Sequence, residues 1–454
     1  MIRIFQFYLL SGFMFFVACG PATCPESIFV NMEAMEKGRN NLRFEIGVET
    51  TAAGSVQIKY WKSKEEGEVF ISDISTDDTK HLITLSPLSP GEKYTFTTIL
   101  KTADCQIESD PREFAVGTVP SNLTPMSWVA FDSTAFSGYL LLQRRTPRGN
   151  VHLIDRHGEI VWYQTIEGMV KVSHWTKENT ILVLYGNDQH KNSAGADIVG
   201  YDLSGKKTLH LNLEEKGYIA HHEVTLDADG NVMALVYDNR ILDLTSKGGE
   251  ANQSVIGDGI LILDRNGKEL WKWSVFDHHD PLADPDLLGH LDDWGHANAL
   301  SVDMDGNFLL SFRDWNQVWK VDAKTGEVLW KFGEGGDFEL DSTLHFSGQH
   351  AIHRNARGHY MLFDNGREQR KSRILSFTLD TAAFTAAPEI VIDLPDEFYA
   401  DRMGSAYLID NGNILVCTPR SRSILVLNPE GEILCNAYVG VPDPYRAEYV
   451  KLQP

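Results

Sequence analysis

Asp293-Trp294-Gly295-His296-Ala297-Asn298-Ala299-Leu300, continuing through Asp305-Gly306-Asn307 to Ser311-Phe312-Arg313 and closing on Gly326-Glu327-Val328-Leu329-Trp330, decides the fold. Apolar and polar residues alternate from Ala297 to Phe312, and Asp-Gly-Asn interrupts them. Period-two alternation marks strands, and Gly and Asn tolerate the positive φ of a tight hairpin. A second hairpin follows, Val318-Trp319-Lys320-Val321-Asp322 and Val328-Leu329-Trp330-Lys331, turning at Thr325-Gly326. Four consecutive strands therefore make one antiparallel sheet.

The unit recurs. Its second hairpin is repeated at Val151-Asp155 with Gly158-Trp162, Ile198-Asp202 with Gly205, Ile260-Asp264 with Gly267-Trp271, Ile374 to Leu394, and Ile424-Asn428 with Gly431-Cys435. A first hairpin precedes most copies: Thr180-Leu184, Val224 to Val236 around Asp229-Gly230-Asn231, Ala351 to Phe363, and Ala406 to Val416 around Asn411-Gly412-Asn413. Six copies at intervals of roughly 50 to 60 residues, four strands each, predict an all-β chain whose residues 126–454 form a six-bladed β-propeller around a central channel. Two stacked sandwiches need no such period. The stretch His278 to Asp292 is an acidic insertion expected over one end of that channel.

Upstream, residues 24–119 hold shorter strands, among them Leu42-Ile46, Val56-Trp61, Lys80-Leu85 and Tyr94-Leu100. Leu88-Ser89-Pro90-Gly91-Glu92-Lys93-Tyr94 resembles the fibronectin type III pattern, in which a Tyr after a Leu-x-Pro-Gly turn braces the strand corner. This predicts a small β-sandwich, a spacer without catalytic residues, joined through the linker Val119 to Pro125.

The 454 residues suffice for two domains and a large core, so no disulfide framework is needed. A formal net charge of −22, with no Lys/Arg cluster, excludes nucleic acid as an expected partner. It also means that an anionic substrate must be held by a local group of donors. Arg3, the apolar run Ile4 to Val17 and Phe16-Val17-Ala18-Cys19 read as a lipoprotein signal, residues 1–19, with lipid on Cys19. The run is shorter than the roughly 20 residues of a membrane-spanning helix. The expected location is the cell envelope, held to the membrane by that lipid. Four further cysteines permit Cys24–Cys105 and Cys417–Cys435 pairs, with buried thiols as the alternative.

Counting back from the hairpin glycines puts His222, Asn298 and His350 in one register, each eight residues ahead of Gly230, Gly306 or Gly358, with His296 two residues before Asn298. Positions two apart share a face of a strand. If these strands are innermost, His222, His296, Asn298 and His350 converge on the channel from three successive blades. Arg313, at the end of the following strand, returns to the same end. Three imidazoles and a guanidinium in one pocket suit an anion.

These residues carry a resemblance. His221-His222-Glu223-Val224, Asp293-Trp294-Gly295-His296-Ala297-Asn298, Leu310-Ser311-Phe312-Arg313, Thr325 to Gly333 and Phe346…Gln349-His350 are similar to the bacterial arylsulfate sulfotransferases, six-bladed propellers independent of phosphoadenylyl sulfate. The Trp-x-His-x-Asn…Ser-x-Arg combination is fairly specific; Thr-Gly-x-x-x-Trp is shared with quinoprotein-type propellers. The resemblance implies ping-pong transfer of a sulfuryl group from an aryl sulfate donor to a phenolic acceptor through a sulfated histidine, without cofactor or metal. It implies His350 as nucleophile and His296 and Arg313 as the grip on the sulfate oxygens. His222 is expected to complete the catalytic set, with Asn298 and His221 as substrate-binding residues. A homodimer is left open. The lipid signal and the front domain depart from simple soluble export, and Cys417 and Cys435 are not assigned to the cysteine pair that periplasmic members carry near the active site.

The alternative is a non-catalytic envelope lipoprotein whose propeller binds glycans or proteins. A quinoprotein dehydrogenase ranks behind, because six repeats are few for that class. Asp227-Ala228-Asp229-Gly230-Asn231 and Asp303-Met304-Asp305-Gly306-Asn307 lack the downstream Glu of a calcium loop and read as turns. His278, His279, Asp280, Asp284, Asp286 and His290 read as a solvated loop rather than a metal site.

Overall fold

The computed structural model describes residues 29–36, 40–64, 68–103, 105–123, 125–190, 193–440 and 444–452. The expected signal with Cys19, and Cys24 of the expected Cys24–Cys105 pair, lie outside the described residues. No helix among the described residues is long and apolar enough to cross a membrane.

Two compact units are present. The smaller comprises the described residues up to Met35, Glu45–Thr84 and Lys93–Ala115. Its seven strands join one hydrogen-bonded network through Phe44–Lys62, which pairs with four of the others. That strand buries alternate side chains on both sides of an interruption at Thr51 to Ala53. Tyr94 is buried, its ring packed on those of Tyr60 and Phe114 at centroid distances of 6.1 and 5.7 Å.

The larger unit holds Val116 onward with Glu36–Phe44 and Leu85–Glu92. It is a six-bladed β-propeller of antiparallel sheets. Blade 2 is Met169–Trp175, Thr180–Gly186, Asp197–Asp202 and Lys207–Asn212. Blade 3 is Ala220–Leu226, Val232–Leu242, Gln253–Leu263 and Glu269–Ser274; blade 4 is Ala297–Val302, Phe308–Phe312, Gln317–Val321 and Val328–Gly333. Blade 5 is His350–Arg354, Tyr360–Asp364, Arg373–Asp380 and Thr385–Asp393. The first strand of each blade is innermost, packed against the first strands of its neighbours.

Remote segments close the ring. Blade 1 has Tyr139–Arg144, Asn150–Ile154 and Ile160–Thr165, and takes its innermost strand from Glu448–Val450. Blade 6 has Ser405–Leu408, Ile414–Thr418, Ser423–Leu427 and Ile433–Tyr438, and carries Ser127–Ala130 on its outer edge.

Neighbouring blades share their apolar faces. Trp273, Trp294, Phe312 and Trp319 fill the space between blades 3 and 4, and Trp330, Phe332, Phe346 and Phe377 that between blades 4 and 5. The repeated hairpin Trp also bolts blades together: Trp162 Nε1 donates to the Leu203 carbonyl of the next blade at 2.8 Å, and Trp273 Nε1 to that of Gly326 at 2.8 Å. In blade 3 the bolt is therefore Trp273, not the aligned Trp271.

The expected Cys417–Cys435 pair is absent: both are buried free thiols. They sit on the second and fourth strands of blade 6 with Ser423–Leu427 between them. Strands two apart lie about 9–10 Å from each other, beyond disulfide reach.

The insertion after blade 3 forms three short 3-10 turns, Val275–Asp277, Pro281–Ala283 and Leu287–Gly289. His278 stacks on Trp273 and His279 on Trp294, while Asp284 accepts the Trp294 indole N–H at 2.7 Å. Its side chains are thus engaged in packing. Among the described residues, no group of three or more His, Cys, Asp or Glu is arranged to hold a metal. Asp227 caps its own turn through the amides of Asp229 and Asn231, and Asp303 pairs with Lys320 at 2.6 Å and Arg354 at 3.0 Å.

Candidate active site

The innermost strands do not run in plain register. Each of blades 2 to 5 carries an irregularity there, at Val170/Val172, Ala220/Val224, Ala297/Ala299 and His350/His353. A bulge inserts a residue, sharpens the twist and re-aims side chains. His222, His296 and Ala351 accordingly have φ of 55°, 50° and 57°, a left-handed backbone that bulky residues adopt only where the surroundings impose it.

The bulges alter which residues correspond. Counting from the hairpin glycines pairs Asn298 with His222, yet His296 shares His222's backbone conformation, and their rings meet edge to face at 4.7 Å. Asn298 is fully buried, and its amide nitrogen donates to the Gln349 carbonyl at 2.7 Å, tying blade 4 to the residue before His350. Gln349 is itself anchored: its Nε2 donates to Ser311 Oγ at 3.0 Å and to the carbonyls of Phe312 and Gln317, each at 3.1 Å.

His350 is 3 % exposed. Its Nδ1 faces two acceptors, Asn365 Oδ1 at 2.7 Å and the Gly348 carbonyl at 3.1 Å, so Nδ1 carries the proton. Nε2 then keeps the lone pair, which the Met403 amide N–H meets at 3.2 Å. Burial above all, then the charges of Arg313 and His296, push this imidazole down to about 3 despite the opposing bond from Asn365. It is neutral at any ordinary pH.

His222 is likewise held well below its usual value, by burial and by His296, His221, His350 and Arg313. The four expected residues His222, His296, Arg313 and His350 thus lie within one another's electrostatic reach. His296 turns Nδ1 to Asp293, and the Arg313 amide donates to the His296 carbonyl at 3.0 Å. The Arg313 guanidinium grips Asp314 with Nε at 2.7 Å and Nη2 at 2.9 Å, and Arg367 reaches the same carboxylate at 3.3 Å. Carboxylates therefore stand behind His296 and Arg313 and orient them.

His221 does not stand in the same place as His222. It is 1 % exposed, its ring stacked on Tyr237 at 4.2 Å, and its Nδ1 lies 3.0 Å from His222 Nδ1. It supports His222 from behind.

A family model, Arylsulfotransferase (ASST), matches residues 129–424. The chain belongs to the arylsulfotransferase family. Membership assigns sulfotransfer on small aryl molecules to the fold just described. Among curated proteins, none matches significantly. Solved structures with related shape include a Bacteroides caccae protein of unknown function, 12% identical, covering 69% of this chain and 98% of that one, with a TM-score of 0.43. Virginiamycin B lyase of Staphylococcus aureus is 9% identical over 72% of this chain and 89% of its own, with a TM-score of 0.38. AztD of Citrobacter koseri is 11% identical over 88% and 100%, with a TM-score of 0.29. Likenesses this distant carry no argument about chemistry.

Several residues around these histidines escaped the sequence. Asn365 directly follows the second strand of blade 5, Tyr360–Asp364, as Arg313 directly follows that of blade 4, Phe308–Phe312. The reasoning that found Arg313 extends to Asn365. Tyr445 and Arg446 had no such signal. They are buried because the segment before the closing strand runs through the middle of the propeller, with Tyr445 6.4 Å from His222 in ring distance. Arg145 of blade 1 lies over the Tyr445 ring at 5.3 Å and meets Met403 Sδ at 3.1 Å, adding a cation near His350.

Proposed function

We propose that the protein moves a sulfuryl group from a phenolic sulfate ester to a phenolic acceptor by a ping-pong route through a sulfohistidine at His350, without phosphoadenylyl sulfate. The observation that carries this reading is the His350 tautomer. A buried imidazole with its proton fixed on Nδ1 and its lone pair on Nε2 is a nucleophile at neutral pH.

In the first half-reaction Nε2 attacks sulfur, the N–S bond forms, and the S–O bond to the aryl group breaks with its electron pair on the phenolate oxygen. His222 gives that oxygen a proton. Arg313 and His296 face the charge on the sulfuryl oxygens, donors held in place from behind, while the Met403 amide, which donates to Nε2 in the resting site, gives up that bond as Nε2 attacks. In the second half-reaction the acceptor oxygen attacks sulfur, the N–S pair returns to Nε2, and the acceptor's proton goes back to His222. Asn298 positions the His350 loop. The apolar leader ending in Cys19 supports lipid attachment at the cell envelope.

Mixing the protein with an aryl sulfate, with no nucleotide present, is expected to release a stoichiometric burst of phenol and leave an SO3 adduct on the His350 peptide, read by mass spectrometry. His350→Ala is expected to slow release at least about 10³-fold. No burst from any of a panel of aryl sulfates, with the protein folded, defeats the reading and leaves the propeller a binding scaffold.

A further inference from the structure

Asp258 stands on the long hairpin of blade 3, opposite Tyr237, and is 1 % exposed. Its Oδ2 accepts the Ala297 N–H at 2.8 Å. Its Oδ1 lies 3.3 Å from His221 Nε2, a buried nitrogen with no hydrogen-bond partner. His221 Nδ1 in turn lies 3.0 Å from Nδ1 of His222, which faces His296, His350 and Arg313. Three buried groups therefore lead from the reacting centre to a carboxyl that touches no solvent.

We infer that Asp258, His221 and His222 form a proton wire that lends a proton to the departing phenolate and recovers it from the incoming phenol. This rests on the sulfotransfer reading above.

The direction of the wire follows from its far end. Burial first, then the like charges of Asp293 and Asp314, keep the Asp258 carboxyl well above the usual range, against the Ala297 N–H and Arg313. Burial also pushes His221 down to about 4, with Asp293 and His296 acting in opposite senses. The resting pair is a neutral acid beside a neutral imidazole. Because Oδ2 already accepts an N–H, the acid's hydrogen belongs on Oδ1, the oxygen 3.3 Å from His221 Nε2. His221 then bears its proton on Nδ1, donates it to His222 Nδ1, and leaves His222 with Nε2–H toward the substrate.

Proton and charge balance without solvent. As the S–O(aryl) bond breaks, His222 Nε2–H passes to the phenolate, His221 Nδ1–H to His222, and Asp258 Oδ1–H to His221. The donor's negative charge ends as the Asp258 carboxylate, while His350 becomes a neutral zwitterion of imidazolium and sulfonate. The acceptor phenol reverses every transfer. A ping-pong enzyme must hold one proton's worth of charge between its halves, and Asp258 is where this chain holds it. Asp258 and His221 are positioning residues, since only His222 meets the substrate.

The test has two arms. Nitrogen-15 spectra of the resting, histidine-labelled protein are expected to show His221 protonated on Nδ1 and His222 on Nε2. The opposite pattern, with His221 protonated on Nε2 instead, overturns the wire whether or not the protein is a sulfotransferase. Asp258→Asn keeps the shape and the Ala297 contact but cannot pass a proton. It is expected to slow the phenol burst about 10²-fold for donors of weakly acidic phenols and much less for nitrophenyl sulfates, with donor binding unchanged. In weakly buffered solution the variant's burst is expected to draw a proton from the medium, and the parent's not. Equal leaving-group dependence and equal proton uptake in both proteins refute the wire. An inactive parent refutes the sulfotransfer reading instead.

Discussion

Asn365 Oδ1 lies 2.7 Å from Nδ1 of His350, while the same amide's nitrogen donates to the carbonyls of Ala400 at 2.7 Å and Met403 at 2.9 Å. Two acceptors on the nitrogen leave only the oxygen for the ring, so the connection from blade 5 to blade 6, together with the Gly348 carbonyl, sets the tautomer of His350. Asn365→Leu removes the nearer of the two acceptors for Nδ1–H, leaving the Gly348 carbonyl at 3.1 Å, and takes a donor from two buried carbonyls. It is expected to cost about 1–3 kcal/mol of stability and to slow the phenol burst about 10²-fold with little change in donor KM. Urea unfolding and rapid-quench kinetics measure the two effects. An unaltered burst rate means that Asn365 does not set the tautomer.

Stability is expected to fall on both sides of neutrality, for opposite reasons. His152 and His353, outside the reacting centre, are pushed by burial from the usual 6.5 to about 4. Between those values the unfolded chain binds protons that the native one refuses, so stability drops as pH falls from 6.5, by on the order of 1 kcal/mol per pH unit for each. His174 behaves the other way: burial lowers it, but Glu448 and Glu223 outweigh that and raise it to about 9. Its contribution is complete below 6.5 and is lost as pH rises through 9. Urea midpoints followed from pH 4 to 10 are expected to show both limbs, and His174→Gln to flatten the alkaline one. An alkaline limb unchanged in the variant contradicts the assignment.

The repeat was legible because blades are local: each hairpin announces itself through Gly, Asn and alternation, and the six second hairpins lie where the pattern puts them. Ring closure was not, since Glu448–Val450 pairs with Tyr139–Leu141 across nearly the whole propeller and three residues give no period. In the site, His222, His296, Arg313 and His350 were found by their spacing from hairpin turns. The same counting aligned Asn298 with His222, whereas His296 shares His222's backbone conformation, because a bulge adds a residue without any mark in composition. Asn365 was within reach of the strand-end argument, whereas Asp258 stands inside the strand Gln253–Leu263 and offered no such mark. Glu223, Tyr445 and Arg446 become partners only once the closing segment enters the channel.

That segment holds a buried ion cluster. Arg446 Nη2 meets Glu223 Oε2 at 2.7 Å, and His174 bridges Glu223 and Glu448. Burial alone raises Glu223, but Arg446 and His174 outweigh it and hold the carboxyl below its usual range. Arg446→Met leaves that carboxylate with only His174, which it shares with Glu448, as a counter-charge and is expected to cost about 3 kcal/mol. Pairing it with Glu223→Gln is expected to recover much of the loss, because the orphaned charge goes with it. Thermal unfolding of the two single variants and the double variant gives the coupling. Additive losses mean that the pair is not a unit.

Arg313 separates charge from geometry. Its planar fork holds Asp314 through Nε and Nη2, and this fixes where the remaining N–H groups point. Lysine keeps the positive charge but has no fork, so Arg313→Lys is expected to retain most donor affinity while its ammonium wanders from the sulfuryl oxygens. Because those oxygens gain their hydrogen bonds most strongly as the S–O bond breaks, the loss belongs in kcat, about 10²-fold, with KM changed only a few-fold. Asp314→Asn tests the same point from behind, since it leaves Arg313 in place with a weaker clamp, and an intermediate fall in kcat is expected. Steady-state kinetics with one aryl sulfate and a saturating phenol decide it. A rise in KM alone, at constant kcat, shows that Arg313 binds donor and transition state equally and has no part in the chemical step.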